Sequence, residues 1–247
     1  TAFVGTLGGL ALGAAVTVLN DDSDIAAYVG SDAFTHTRIK QAAALKVNAT
    51  QKIKVETLNP NVSIGGTAVG ASIGIVNLSG STQAYIADYA EIGQFSGPTV
   101  GSLEVKANSD QNVEVDAWAV AAGMGVGLTI NLGLATLTTK VQAYIGKKAV
   151  VYVTNNVVIE AVSKVDVDSG VWGVSVSTGV AAGGSFATAK NTYDVDASVG
   201  KESTITSQKG KVTISASHDS TAKSDAMASG GSLTLAASGA VSNATIK

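Results

Sequence analysis

The chain has 247 residues, a formal net charge of −3, 45% hydrophobic and only 14% charged residues. So apolar a composition excludes a disordered segment. Arg38 is the sole arginine, so the clustered basic side chains of a nucleic-acid binder are missing. The chain has no cysteine, hence no disulfide or thiolate site, a usage that fits a large extracellular protein. Aromatics make up 5%, with 28 glycines and 2 prolines, and the apolar content is mostly Val, Ile and Ala. Such side chains suit strands packed with little volume between them.

In chain order, residues 2–19 and 117–137 carry no charge and are long enough to span a bilayer if helical. Their small residues recur at every second position, and no aromatic or basic anchors flank both ends. A membrane barrel needs aromatic girdles that 6 Tyr and 2 Trp barely supply. The expectation is an all-β protein that does not span a membrane. From Gly123 to Leu132 the alternation is cleanest: Met124, Val126, Leu128, Ile130 and Leu132 take one face. Gly123, Gly125, Gly127, Thr129 and Asn131 take the other. The large face is expected to supply the core and the small face to admit a neighbouring sheet.

Self-similarity is the main feature. Ala27-Tyr28-Val29-Gly30 returns at Ala84, Ala143 and, weakened, at Ala197, with spacings of 57, 59 and 54. An alternating strand ending in alanine begins at Leu45 and returns at Leu103, Val157 and Val212, with spacings of 58, 54 and 55. Gly8-Gly9 matches Gly65-Gly66. These landmarks define repeats of about 57 residues: 1–57, 58–116, 117–170, 171–226 and a partial 227–247. The first repeat reads as a Gly-rich strand to Leu19, a turn over Asn20 to Ser23, and a strand over Ile25 to Val29. A turn over Gly30 to Asp32 and a strand over Phe34 to Ile39 follow. Strands over Leu45 to Ala49 and Ile53 to Thr57, parted by a short polar turn, complete the unit. Gly97-Pro98 argues for a loop in the second repeat. Neither end reads as a polar cap, as expected of a slice of a longer array or of a subunit docking on its neighbours.

The Ala143 to Gly146 turn, the Val212 to Ala216 strand and the Gly-rich strands resemble the repeat arrays of bacterial filamentous adhesins and large exoproteins. The arrays resembled are of the filamentous-haemagglutinin or leukotoxin-type filamentous adhesin kind. That resemblance implies a secreted or cell-surface shaft built as a parallel β-helix-like β-solenoid. The period of about 57 fits either three turns of roughly 19 residues or a different β-unit. No family functional residue transfers, because none of these motifs is catalytic.

Asp21, Asp22 and Asp24 form the densest carboxylate cluster and are weak candidates for a cation such as Ca²⁺. The equivalent turns of later repeats carry no acid, so a solvated turn is the expectation. Asp166/Asp168 and Asp194/Asp196 read as outward pairs. His36 and His218 are the two histidines, and His218-Asp219-Ser220 cannot form a triad because successive strand residues alternate faces. No cofactor and no catalysis are expected. Asn48, Asn61, Asn77 and Asn243 begin sequons, which matter only where the source uses that pathway. Tyr28, Tyr85 and Tyr144 form a repeat row, expected to stack ring on ring and alternatively to present a ladder to glycans. Trp118 and Trp172 stand 54 apart, each just before a Gly-rich strand, with the same two readings. The small face at Gly70, Ser72, Gly74, Gly123, Gly125 and Gly127 is the expected close-packing site. Its neighbour is either an interior sheet of the same molecule or another filament subunit. The functional expectation is an extracellular fibre or adhesin shaft acting by stiffness and self-association. A surface module recognising host glycan or protein, through loops such as Phe95 to Val100, is the alternative.

Overall fold

The computed structural model describes residues 4–30, 36–96 and 99–247, and among these there is no helix. Twelve strands carry the chain: β1 (Val4–Asp22), β2 (Ile25–Val29), β3 (Arg38–Ile39), β4 (Leu45–Ile86), β5 (Glu91–Ile92) and β6 (Leu103–Ile145). Then come β7 (Val150–Val153), β8 (Val157–Ser177), β9 (Val180–Val199), β10 (Thr204–Ser207), β11 (Val212–Ser232) and β12 (Leu235–Ile246). Every pairing is parallel.

The register defines the coil. Leu45 pairs with Leu103, Leu103 with Val157, and Val157 with Val212. Tyr28, Tyr85, Tyr144 and Ser198 likewise sit side by side. Strand neighbours therefore lie a whole coil apart in sequence, as in the Asn20–Asn77 pair, 57 residues apart. The chain is a β-solenoid, and one circuit takes a long coil; a coil of roughly 19 residues does not fit this register.

Each coil is a narrow wedge. An outgoing arm (residues 103–122 in the third coil) runs from base to rim, where the chain bends around Gly123 to Gly125. A return arm (126–145) comes back. A short base strand, β7, closes the circuit. β8 then begins the next outgoing arm directly beside β6. β3, β5, β7 and β10 stack as a four-stranded sheet along the base. The bend is a register shift between Gly65 and Thr67 in β4 and a strand break in the later coils. A Cβ on Gly123 would lie 1.8 Å from the Val126 carbonyl oxygen, so only glycine fits this bend. At the corner between return arm and base, Tyr89, Lys148 and Glu202 occupy the left-handed region in successive coils (φ 59°, 53° and 62°). Ladder bonds hold that corner: Tyr89 N–H donates to the Lys147 carbonyl and Lys148 N–H to that of Lys201 (2.9 and 3.0 Å).

Two sequence expectations change. The polar turn expected between Leu45–Ala49 and Ile53–Thr57 is absent, because β4 runs unbroken from Leu45 to Ile86. Lateral hydrogen bonds to β6 over that whole length override the local turn preference of Asn48, Thr50 and Gln51. The strand expected over Phe34 to Ile39 is described only at Arg38–Ile39, residues 31–35 lying outside the described part.

The interior is zoned from base to rim. At the base, Val47, Ile86, Leu103, Val105, Ile145 and Ile159 stack in continuous aliphatic rows. Each such burial stabilises by roughly 1.5–3 kcal/mol. A buried glutamine layer follows. Gln51 Oε1 accepts hydrogen bonds from Thr82 Oγ1, Ser109 Oγ and Gln111 Nε2 at 3.1, 3.3 and 3.2 Å. Gln111 Oε1 accepts from Thr139 Oγ1 at 2.8 Å, joining the two arms of the third coil. A second aliphatic patch holds Val76, Leu78, Val113, Val115, Leu137 and Val167. Towards the rim only small and polar side chains fit: Ala68, Ser72, Asn59, Asn61, Asn131 and Ser175 are buried there.

Candidate functional surfaces

The small face does admit a neighbouring sheet, and that sheet is the opposite arm of the same coil stack. A Cβ on Gly74 would lie 2.8 Å from both Asn59 Nδ2 and Val115 Cγ1. On Gly70 it would lie 3.1 Å from Asn61 Oδ1, and on Gly127 2.6 Å from the Val176 carbonyl oxygen. Ser72 Oγ donates to the Asn59 carbonyl across the gap. The expected assignment of core to the large face is thereby reversed. On the rim half the large side chains point outward: Leu12, Ile130 and Met124 are 60%, 63% and 74% exposed. The physical reason is thickness, since two arms this close leave room inside only for glycine-to-asparagine-sized groups. Gly123 belongs to the bend, and Gly125 to the outside of the rim, where its nearest contact for a Cβ is 3.4 Å away.

The tyrosine row is a stack on the outer side of the return arms at the base end. Ring centroids are 5.1 Å apart for Tyr28–Tyr85 and 4.8 Å for Tyr85–Tyr144, with interplanar angles of 10° and 1°. Ser198 ends the row in the next coil. Trp118 and Trp172 are register partners on the outgoing arm, near the charged-to-apolar boundary of the outer surface.

The acidic cluster is occupied by serines. Asp24 accepts from Ser81 Oγ and Ser81 N–H (2.6 and 2.8 Å), which holds its carboxyl below the usual value. Asp21 accepts from Ser23 Oγ and Asp22 from Ser79 Oγ. Among the described residues no group of three or more His, Cys, Asp or Glu converges as a metal site. His218 points inward and stacks on Tyr193 at 3.6 Å, while Asp219 is exposed on the outside. Burial pushes the His218 imidazole down. His36 lies over Tyr89 at 6.0 Å.

The sequence reading missed a groove on the base sheet. Arg38 on β3 and Glu91 on β5 form a bidentate pair (Nε–Oε2 2.5 Å, Nη2–Oε1 2.8 Å). That contact raises the guanidinium and lowers the carboxyl, in each case first through the hydrogen bond. Beside it, Phe95 is 80% exposed and meets the Tyr152 ring edge-on at 5.5 Å. Together with Lys40 and Gln94 these residues line an open hollow of about 350 Å³, a shallow pocket. Of the loop singled out in the sequence, residues 97–98 lie outside the described part. The groove was legible only once the coil register was known, since Arg38 and Glu91 are 53 residues apart.

Two carboxyls are pushed up. Asp116, on the outer face against Gly170, is raised to about 6, first by burial and then by Glu114 and Asp168. Asp168 is raised chiefly by burial. Both sit where the charged outer surface meets the apolar one.

These features define a parallel β-solenoid with a wedge-shaped coil, polar inside its rim and aliphatic inside its base. No family model, curated protein or solved structure matches the chain. No helix among the described residues is long and apolar enough to cross a membrane.

Proposed function

We propose that the chain is a segment of an extracellular or cell-surface shaft that acts by rigid extension and self-association. The observation that carries this reading is the in-register stacking of every arm on the arm one coil away. A stack of this kind lengthens by adding coils, and its stability is nearly a sum of coil and neighbour terms. Most of the small face is occupied by the opposite arm within the stack, which favours self-association through the strand edges of the stack instead, β1 on one side and β11 and β12 on the other. The resemblance to bacterial filamentous adhesins supports the same conclusion. Electron microscopy of the purified chain over a range of concentrations tests it. The expected result is filaments one wedge wide that lengthen with concentration; discrete particles at every concentration overturn it.

The base groove favours a second reading, a surface adhesin module for host glycan or protein. An aromatic pair, Phe95 exposed and Tyr152 half-buried, beside a fixed guanidinium–carboxylate fork suits a sugar ring and its hydroxyls. A saturable hit on a glycan array, lost in Tyr152→Ala and retained in Tyr85→Ala, supports that groove. Binding lost in Tyr85→Ala alone moves the site to the tyrosine stack, and no saturable hit removes the reading.

A further inference from the structure

We propose that the rim half of the coil stack is a lipid-inserting blade, immersed edge-on in the acyl chains of a phospholipid layer while the base half stays in water. The inference rests on the coil geometry and not on the shaft reading above.

The rim half is inverted relative to a water-soluble sheet pair. Its interior holds Asn59, Asn61, Ser72, Thr129, Asn131 and Ser175, and its exterior rows are mainly apolar, interrupted only by uncharged residues such as Thr67, Gly184, Thr188 and Asn243. On the return arms, one row runs Val16, Ile73, Leu132, Phe186 and Val241 across all the coils. On the outgoing arms, another runs Trp118, Trp172 and Met227, with the buried Pro60 beneath its end. Segments 57–76, 117–135, 171–189 and 226–246, which build this half, contain no Asp, Glu, Lys, Arg or His. Exposed apolar surface on this scale marks an interaction site.

Three features select lipid as the occupant. First, the apolar surface covers both outer faces and continues over the rim. An open groove of about 900 Å³ runs along the rim across the coils, lined by glycines with Ile64, Met124, Val176 and Leu233. A folded protein partner covers one face, whereas a fluid apolar phase surrounds all three sides. Second, the depth fits. Six to nine residues in the outgoing arms and ten to twelve in the return arms, at ~3.3 Å each, give roughly 20–40 Å, a range that brackets the ~30 Å hydrocarbon core of a bilayer. Third, the boundary is marked as interfaces are, by Trp118 and Trp172 beside Asp116, with Glu114, Asp110 and Lys164 further towards the base on the same outer faces. The backbone meets the requirement for entering lipid, because arms flanked by coils on both sides have their polar groups paired along the stack. The interior Asn, Ser and Thr groups are shielded by the arms themselves.

Flotation of the full chain with phosphatidylcholine vesicles tests the proposal, with circular dichroism to verify that each variant keeps its β structure. The expected result is co-flotation, a blue shift of Trp118 and Trp172 emission, and quenching of both by lipids brominated near the headgroup. Ile130→Lys with Leu132→Lys, both on the outer face, is expected to weaken partition at least tenfold. Lys46→Gln with Lys52→Gln, at the base, is expected to leave it unchanged. Folded protein that stays with the aqueous fraction overturns the proposal, as does flotation insensitive to the Ile130/Leu132 change. If the chain instead forms lateral dimers without lipid, dissociated by that same double change, the faces belong to a second copy and the lipid assignment is wrong. Filament length without lipid reads the shaft reading separately.

Discussion

The base half and the rim half of each coil are built from the same parallel ladders yet solve the burial problem in opposite ways. At the base, the four-stranded sheet props the two arms apart, and the space between them takes Ile86, Leu103, Ile145 and Ile159. Charged residues then occupy the outside, as in the Lys106–Glu160 pair at 3.1 Å. At the rim nothing props the arms apart, so they close on glycine, alanine, serine and asparagine, and the large side chains are forced outward. The difference teaches that sheet spacing, not strand pattern, decides which alternating face becomes core.

The largest test of this contrast replaces an aliphatic side chain in each half. Ile145→Ala removes a fully buried side chain from the base core and is expected to cost about 3–4 kcal/mol by urea denaturation. Ile130→Ala removes an equal side chain from the outer rim surface and is expected to cost under about 0.5 kcal/mol in water. Equal losses at the two sites would mean that the rim row is packed against something, and the inversion would be wrong.

Gln51→Leu probes the layer that separates the two aliphatic zones. It leaves Thr82, Ser109 and Gln111 without their shared acceptor. A loss of about 2 kcal/mol is expected from the stranded donors, despite the added apolar surface. Double substitution with Gln111→Leu should be less than additive, since Gln111 Nε2 no longer needs a partner. Full additivity would show that the layer is a set of separate contacts rather than a network.

Much of this was legible beforehand for a physical reason. Stacked coils place equivalent residues side by side, so the Ala-Tyr-aliphatic segments and the alternating segments that reach Ala49, Ala107, Ala161 and Ala216 repeat at the coil length. The face assignment was not legible. Period-two alternation at Gly123 to Leu132 says that the two faces differ, and gives no information on how far away the opposing sheet lies. The groove at Arg38, Glu91 and Tyr152 was hidden for another reason, because its members are isolated in sequence and meet only through β3, β5 and β7.

The smallest effect concerns the boundary between the halves. Asp116 lies on the outer face where the charged rows give way to Trp118 and Trp172, and its pKa is raised from 3.8 to about 6. A carboxyl raised on folding is bound more tightly to its proton in the native state, so its ionisation opposes folding. Below about pH 4 the group is protonated folded and unfolded, and contributes nothing. Between 3.8 and about 6 the penalty grows, and above about 6 it is fully present. Asp116→Asn is therefore expected to raise stability at pH 7 by about 1 kcal/mol, after allowance for solvent screening. The gain should shrink as pH falls and vanish near pH 4. His218 works in the opposite sense: its lowered pKa means that acidification through the unfolded value near 6.5 costs stability. Urea titrations of wild type, Asp116→Asn and His218→Gln from pH 4 to 8 separate the two. A gain in Asp116→Asn that is independent of pH would show that the side chain acts through packing on Gly170, not through charge. The boundary would then be set by shape alone.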